Sequence, residues 1–431
     1  MKKRIITCLC SALLCLTALS GCSNENGQAN GDSNEGGKNT IKIAISGSAQ
    51  EMEIRKKMGE MYVEENPDVD IEWVDIGSER FQKTMTLISS GSAPDLLYIN
   101  EYVYAFAEKN VLEPLDEYIA NDSEFKLDRF YDNLIEPLKF DGKLYGLPQE
   151  VSPFVIYYNK DMFEANGIPL PTDEWTYEEF IDAAKKLTKA EEKVYGYSHK
   201  ATTWYDQQLL WMIPNGVEIY SEDLKSTKFD SQEMLYSLNL LNDMVVKNKI
   251  SPDPASIQAM GKGFDALFRN GKVAMEAAGL WMIPTYDADP LPFNWDVVKI
   301  PRGTKNQETK AGVLNWSISK DSKNKDIAWD ILKFFTSDEA MKLVAESRMA
   351  LPAVKGEEVN NIILNSGEIP KNIKAFVEAA SEVNLTDQLS SRRNEMLDAM
   401  GKQLDSMLNG NQSPEDTQKK IVEETNKILG Q

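Results

Sequence analysis

Histidine and cysteine are almost absent from this sequence. Its 431 residues include one histidine, His199, and the four cysteines all lie at or before Cys22. A Ser-His-Asp triad would need His199, which has no nucleophile elbow near it, and no cluster shows metal-ligand spacing. Gly-rich phosphate loops are also missing. We therefore expect no enzyme activity, no metal and no cofactor. A glycosidase with paired carboxylates remains the alternative, although 68 acidic residues make a chance pair easy to find.

Basic residues are scarce relative to acidic ones. The chain has 47 Lys and Arg residues against 68 Asp and Glu residues, for a formal net charge of −21 at pH 7. Such an acidic surface disfavours binding to nucleic acid and direct contact with an anionic membrane. No disulfide can form beyond Cys22, so the rest of the chain must be stabilised by its own core. Its length is sufficient for two domains.

The first 39 residues indicate export and tethering. Basic residues at positions 2–4 precede an apolar stretch that is short for a membrane span. Leu19-Ser20-Gly21-Cys22 resembles the lipobox of bacterial lipoproteins, in which the signal peptide is cut before a cysteine that then carries lipid. We expect a signal peptide at residues 1–21, with the lipid anchor Cys22 and a flexible linker at residues 22–39. The alternative is an ordinary secretory signal that happens to contain a cysteine.

Apolar periodicity beyond the linker predicts an α/β fold. Alternating apolar residues at 41–45 and 69–73 and the continuous apolar run at 96–99 read as strands, separated by two helical patterns. This β-α-β-α-β order implies a parallel sheet with helices on its faces. Pro148 and Pro153 then indicate extended chain crossing between two bodies.

Six segments together resemble a known protein family. They are "GSAPDLLYIN", "LEPLDEYI", "DGKLYGLPQEVSPFVIYYNKDMFEANGI", "GKVAMEAAGLWMIP", "AGVLNWSISKDSKNKDIAWDILKFFTS" and "NGNQSPEDTQKKIVEETNKIL". Their order and spacing are similar to those of extracellular solute-binding proteins that serve ATP-driven importers, in the branch that includes maltodextrin-binding proteins. The resemblance runs from Ile41 to about Leu429.

The resemblance implies a two-lobed periplasmic-binding-protein-like fold with a hinge and a ligand cleft between the lobes. The expected crossings lie near residues 147–153, 278–283 and 313–317. The expected lobes are residues 40–150 plus 280–314 for the first, and residues 151–279 plus 315–431 for the second.

The implied function is carbohydrate capture for import. We expect a monomeric, lipid-anchored protein on the extracytoplasmic face of a bacterial cell membrane, which delivers a mono- or oligosaccharide to an ABC permease with a cytoplasmic ATPase. Eight tryptophans and sixteen tyrosines favour a sugar, since aromatic rings cover the apolar face of a pyranose. A receptor for a non-sugar solute such as a polyamine, and a surface glycan-binding protein without a transporter, remain as alternatives.

Candidate ligand-binding residues come from three arguments. Ligands of parallel sheets lie beyond the carboxyl ends of strands. This rule selects Ser46, Gly47 and Ser48 after the first strand, Asp75 and Ser78 after the second with Arg80 nearby, and Asn100 and Glu101 after the third. The resemblance adds a carboxylate on the first crossing, an aromatic in a Gly-x-Trp segment, and further positions near the cleft. These are Glu150, Trp281, Asn315, Trp316 and Arg348. An aromatic-polar cluster in the expected second lobe adds Trp204 and Asp206.

The anchor hypothesis predicts where a cysteine variant will be found. Cys22→Ala removes the only cysteine that remains after cleavage, and with it the site of lipidation. The protein should then move from the membrane fraction into the medium, as measured by immunoblotting of fractionated cells. Retention of the variant in the membrane fraction would contradict a lipid anchor at this residue.

Overall fold

The computed structural model describes residues 38–199, 206–260 and 265–430 and has a mixed α/β architecture. Its strands are β1 (Asn39–Ile45), β2 (Val69–Asp75), β3 (Leu96–Ile99), β4 (Lys139–Phe140), β5 (Lys143–Leu144), β6 (Leu147–Pro153), β7 (Val155–Asn159), β8 (Tyr195–Ser198), β9 (Val273–Ala278), β10 (Trp295–Val298), β11 (Ala311–Ile318) and β12 (Leu351–Pro352).

The helices surround two large sheets, and β4 and β5 form a small sheet of their own. The helices are α1 (Ala49–Glu65), α2 (Arg80–Ser89), α3 (Val103–Glu108), α4 (Asp116–Asn121), α5 (Asp132–Ile135), α6 (Lys160–Ala165), α7 (Tyr177–Leu187), α8 (Asp206–Leu209), α9 (Gln232–Asn242), α10 (Pro254–Met260), α11 (Ala266–Arg269), α12 (Met282–Ala288), α13 (Lys325–Phe335), α14 (Asp338–Ser347), α15 (Glu357–Leu364), α16 (Lys374–Ala379), α17 (Arg393–Leu408) and α18 (Pro414–Leu429). Within the described ranges, none of them combines the length and the apolar character needed to cross a membrane.

The first sheet confirms the predicted β-α-β-α-β pattern. Its strand order is β12-β6-β11-β3-β1-β2. β1 lies in the middle of this unit and pairs in parallel with both β2 and β3, so that Ile43 is opposite Trp73 on one side and Leu96 on the other. Helix α1 begins at a capping box in which Ser48 and Glu51 each accept the other's backbone N–H. We call this sheet and the core around it the first lobe.

The second sheet has the order β10-β7-β9-β8 and a core of its own. Helix α7 covers it and starts at a capping box formed by Thr176 and Glu179. Phe180 on this helix packs against Trp211 with ring centroids 4.9 Å apart. Helices α9, α17 and α18 complete this core. We call this sheet and its core the second lobe.

Three chain segments connect the lobes, and hydrogen bonds join them to one another. Phe154 lies between β6 and β7, residues 299–310 connect β10 to β11, and residues 380–392 connect α16 to α17. Phe154 N–H donates to the Lys310 carbonyl at 2.8 Å, and Thr309 N–H donates to the Glu382 carbonyl at 2.9 Å. A hinge between the lobes therefore consists of three segments that must move together.

The strand pairing differs from the predicted lobe boundaries. β11 and β12 belong to the first sheet, although we expected residues 315–431 in the second lobe. β10 pairs with β7 in the second sheet, although we expected residues 280–314 in the first. After β9 the chain returns through α12 to its own sheet, so residues 278–283 are not a crossing, and β11 lies wholly within the first sheet.

One close contact within the second lobe gives a stability prediction. Gly196 on β8 lies against α7, where a Cβ atom would be 2.1 Å from the Ala184 carbonyl oxygen and 2.5 Å from its Cα. Gly196→Ala should therefore lower the free energy of unfolding by about 1–3 kcal/mol or more. Urea unfolding measures this. Gly356→Ala is the matched control, because its Cβ would meet only a Val359 methyl group at 3.3 Å. Equal effects of the two variants would contradict the packing argument.

Candidate functional site

A cavity of about 310 Å³ lies at the junction of the two lobes. It is bounded by the ends of strands in the first sheet, by the crossing segments and by α17. Its polar and charged lining consists of Glu51, Arg80, Asn100, Glu101, Glu150, Ser152, Gln388 and Arg393. Its apolar lining includes Phe154, Trp281 and Met349. An apolar wall facing convergent polar groups is the usual composition of a small-molecule site.

The inner wall of the cavity contains a buried ion pair. Glu150 on β6 is 6% exposed and Arg55 on α1 is 1% exposed. Arg55 Nη2 lies 3.1 Å and 3.2 Å from the two carboxylate oxygens of Glu150 and also donates to the Tyr98 hydroxyl. Arg55 Nη1 donates to the Glu51 carbonyl at 2.6 Å. These contacts hold the Glu150 carboxylate in one orientation.

Burial and charge act in opposite directions on this pair. Burial raises the pKa of Glu150, and the Arg55 guanidinium partly opposes that rise. For Arg55, burial would lower the pKa, but Glu150, Tyr98 and Glu51 together raise it. The Arg55 guanidinium therefore remains charged, and it offsets part of the desolvation of Glu150.

Trp281 forms much of the apolar wall. It follows β9 directly, caps the start of α12 and is half-buried. Its ring meets Phe154 edge to face, with centroids 5.5 Å apart and an interplanar angle of 83°. Two glycines make room for it, since a Cβ at Gly279 would be 2.0 Å and one at Gly312 would be 3.3 Å from the indole. The backbone on two sides thus fixes where this indole lies.

Asn100 is positioned by a neighbouring strand. Asn315 on β11 is opposite Ile99 in the sheet, and its Nδ2 donates to the Asn100 carbonyl at 2.9 Å. The Asn100 side-chain oxygen Oδ1 is buried and has no hydrogen-bond partner in the described part of the chain. Buried polar atoms without partners are uncommon in proteins. The acceptor capacity of this oxygen is therefore not used by any other described residue.

The second lobe contributes a guanidinium held by a buried carboxylate. Arg393, the first residue of α17, places Nε 2.6 Å from Asp387 Oδ2. The other oxygen of Asp387 contacts Lys310 Nζ, and Lys310 and Asp387 are both completely buried. Burial would raise the pKa of Asp387, but Lys310 and Arg393 together lower it. The charged Asp387 carboxylate thus links Lys310 on a hinge segment to Arg393 in the cavity wall.

The cavity brings together five of the residues selected from the sequence. Glu150, Trp281, Asn100, Glu101 and Arg80 all line it. Arg80 Nε also donates to Ser46 Oγ at 2.5 Å, immediately after β1. Contact of these residues with a ligand stays a prediction, but their shared location agrees with the rule that ligands lie beyond strand ends.

Other selected residues lie outside this lining. Ser48 caps α1, and Asn315 supports Asn100 from behind. Trp316 is completely buried, with its ring 5.0 Å from that of Tyr98 and 5.1 Å from that of Phe335. It occupies the position of a core residue.

Of the three remaining candidates, one is held away from the cavity and two have side chains outside the described part of the chain. Arg348 pairs with Asp287 at 2.5 Å and donates to the Ile369 carbonyl, so its guanidinium is held away from the cavity. Trp204 lies outside the described residues. Asp206 is the first residue of α8, and its side chain also lies outside the described part.

Sequence reasoning missed Arg393 in the cavity lining and the residues that support the lining from behind. Arg55 did leave a signal, because it shares the buried face of α1 with Met58 and Tyr62 at helical spacing, and a charged residue there needs a buried partner. No comparable signal in the sequence identified Arg393, Asp387 or Lys310. They meet only because the third crossing returns beside the second.

A larger surface depression of about 950 Å³ is a weaker candidate. It is lined by Tyr118, Trp329 and several carboxylates, among them Glu113, Asp116 and Asp330. All of these residues belong to the first lobe, and Trp329 is buried beneath the surface with its ring 5.2 Å from that of Phe125. Nothing in this depression depends on the arrangement of the two lobes.

Comparison with known sequences places most of the chain in one group. The sequence model of bacterial extracellular solute-binding proteins matches residues 46–342. A protein of Brucella abortus that is named only as a binding protein is 29% identical over 347 residues, which cover 76% of this chain and 82% of that protein.

Solved structures agree with this match. An ABC substrate-binding protein from Listeria monocytogenes in complex with cycloalternan is 29% identical, with a TM-score of 0.80 and coverage of 91% of this chain and 99% of that one. A solute-binding protein from Thermotoga lettingae bound with α-D-tagatose is 25% identical, with a TM-score of 0.75 and coverage of 91% and 100%.

The Arg55–Glu150 pair predicts a pH-dependent loss of stability. Arg55→Met leaves the buried Glu150 carboxylate uncompensated, which should cost about 3–5 kcal/mol near pH 7. Without Arg55 the pKa of Glu150 rises further. A group with a raised folded-state pKa loses stability as the pH rises through that pKa, so the deficit should be larger at pH 7 than at pH 5. Urea unfolding at the two pH values measures the difference.

The double variant Arg55→Met with Glu150→Gln is the matched control. It has no buried charge at this pair, so the pH-dependent part of the deficit should disappear. A deficit of Arg55→Met that is the same at both pH values would contradict the assignment of that deficit to Glu150.

Proposed function

The chain belongs to the family of bacterial extracellular solute-binding proteins, and from this premise we propose that it captures a carbohydrate in the cavity between its lobes. The observation that carries the proposal is the combination of the Trp281 indole with convergent hydrogen-bonding groups in one cavity. The indole offers an apolar face on which a pyranose ring can stack. Carboxylates, amides and guanidinium groups around it suit the hydroxyls at the rim of a sugar.

Charge balance supports an uncharged polar ligand. Among the described residues, the carboxylates of Glu51, Glu101 and Glu150 line the cavity. Arg80 and Arg393 line it too, and Arg55 contacts Glu150 from behind. The three negative charges therefore have three positive counterparts, and Asp387 is matched by Lys310.

This balance disfavours the polyamine alternative. A polycation needs carboxylates whose charge is not already compensated, because removing it from water is costly. Anions meet the opposite difficulty, since Arg55 and Arg393 each have a carboxylate near them. A sugar has no net charge, so its binding leaves the balance of the cavity unchanged.

The structural neighbours support a sugar ligand at the level of class. The similar proteins from Listeria and Thermotoga bind cycloalternan and tagatose respectively. In this chain the unpartnered Asn100 Oδ1 is suited to accept a hydrogen bond from a sugar hydroxyl.

Hinge closure is the proposed mechanism of capture. The cavity takes residues from both lobes, so a bound ligand stabilises the closed arrangement more than the open one. We propose that the closed form delivers the ligand to a membrane permease driven by a cytoplasmic ATPase. We also propose that lipid on Cys22 keeps the protein at the extracytoplasmic face of the membrane, where tethering raises its effective concentration at the permease. A surface glycan-binding protein without a transporter would share the site but lack that partner.

A thermal-shift screen tests the ligand class. The fragment of residues 38–431 is screened against glucose, tagatose, maltotriose and cycloalternan, with spermidine, glutamate and phosphate as controls. A sugar at a hundred times its Kd should stabilise the fold by about 2.7 kcal/mol and raise Tm by a few degrees. A response to spermidine alone would contradict a carbohydrate receptor.

Trp281→Ala tests the site itself. It should abolish the sugar-dependent rise in Tm, because it removes the stacking surface. Tyr236→Ala is the matched control, since this aromatic side chain is 42% exposed on α9 and lies outside the cavity. If Trp281→Ala keeps the full sugar response, the ligand binds elsewhere.

A further inference from the structure

Apart from the three chain crossings, side chains that follow β3 contact side chains that begin α17 at the edge of the cavity. Arg393 Nη1 lies 3.8 Å from Glu101 Oε1. Next to this pair, Asn394 Nδ2 lies 3.4 Å from the Tyr102 hydroxyl, within reach of a weak hydrogen bond. Glu101 and Tyr102 follow β3 of the first lobe, whereas Arg393 and Asn394 begin α17 of the second. We call these four residues the interlobe bridge.

The second-lobe side of the bridge is held rigidly. Asp387 fixes Arg393 through its Nε atom, which leaves Nη1 directed towards Glu101. Asn394 Oδ1 accepts a further hydrogen bond from Arg393 Nη1 at 3.3 Å. Lys310, on the second crossing segment, contacts Asp387 and the Asn384 carbonyl. The guanidinium is therefore attached to the hinge and keeps its direction when the lobes move.

The geometry of the Glu101–Arg393 pair suits a reversible contact. At 3.8 Å it is an ion pair and is too long for a direct hydrogen bond. The Glu101 side chain is 25% exposed and that of Arg393 is 7% exposed, so water and salt screen their attraction only in part. Such a pair favours a small separation of the lobes without the cost of deeply burying both charges.

We propose that the interlobe bridge holds the two lobes close together in the ligand-free protein, with Glu101–Arg393 as its ion pair and Asp387 as the residue that positions Arg393. Both members of the ion pair also line the cavity, so a ligand must engage them as it enters. The bridge thus sets how far the empty cleft opens. Its role in ligand capture rests on the proposed function, but the bridge itself is testable without any ligand.

The test measures the distance between the lobes in the ligand-free protein. Both hydrophobic cores consist of residues within 38–430. A fragment of residues 38–431 contains no cysteine. Two spin labels can therefore be attached uniquely through Lys109→Cys and Lys402→Cys, exposed positions on the first and second lobes. Pulsed electron paramagnetic resonance then gives the distribution of distances between them.

Glu101→Gln removes the ion pair while keeping the size of the side chain. We expect the mean distance to lengthen by more than about 2 Å and the distribution to broaden. Tyr102→Phe should produce a smaller change in the same direction. Glu108→Gln is the matched control, because it removes the same charge from an exposed position at the end of α3 and should leave the distribution unchanged.

Salt gives a second readout that a purely structural role would not reproduce. Raising the ionic strength from 0.01 M to 1 M shortens the screening length from about 30 Å to about 3 Å. The distribution of the protein with native Glu101 should then shift towards that of Glu101→Gln, which should itself respond little.

A distribution for Glu101→Gln that matches the protein with native Glu101 at low salt would overturn the bridge. That outcome is independent of the sugar screen, because no ligand is present. A screen without any sugar response would instead contradict the proposed function and leave the bridge result in place.

Discussion

The hydrogen bonds that join the three crossing segments are the constraint on which the cavity depends. Phe154 forms hydrogen bonds with Lys310 and Thr309. Thr309 in turn forms a hydrogen bond with Glu382 on the third segment. Each crossing delivers cavity residues within a few positions of these bonds: Glu150 before the first, Ala311 after the second, and Gln388 on the third. The site is therefore built at the hinge itself, so that a change in the angle between the lobes directly changes the shape of the cavity.

Buried charge is organised in the same region, and its arrangement bears on the chemistry of the ligand. Isolated buried charges are costly, and the protein meets this cost with specific partners, Arg55 for Glu150 and Lys310 with Arg393 for Asp387. Arg55 and Lys310 approach from behind the cavity, whereas Arg393 forms part of its lining, and oriented polar groups are left at the cavity surface. Preorganisation of this kind reduces the entropy lost when a flexible, hydroxyl-rich ligand binds. The half-buried indole of Trp281 supplies the apolar contact that such a ligand also needs.

The sequence allowed prediction of the fold class and of part of the cavity. Alternation at residues 41–45 and the apolar run at 96–99 identified the parallel unit. Strand-end reasoning then selected Asn100, Glu101 and Arg80, which line the cavity, together with Asp75 and Ser78, which do not. The resemblance added Glu150 and Trp281. The lobe boundaries could not be obtained in this way, because nothing local at β10 or β11 distinguishes pairing with one sheet from pairing with the other. Trp316 illustrates the same limit. The local sequence around an aromatic residue near the end of a strand does not show whether its side chain faces a cleft or a core.

What the sequence determined by itself is local: helix starts such as Ser48 and Thr176, strand periodicity, the excess of acidic residues, and the lipobox-like segment that ends at Cys22. These depend on neighbouring residues and on composition, which can be read directly. Tertiary structure alone decided that Arg55 pairs with Glu150 and that Arg393 pairs with Asp387 and reaches towards Glu101. Glu101 and Arg393 are distant in sequence, and they approach each other only because the chain crosses the hinge three times. Burial and hydrogen bonding along those crossings select the partners, and neither quantity is present in a local pattern of residues.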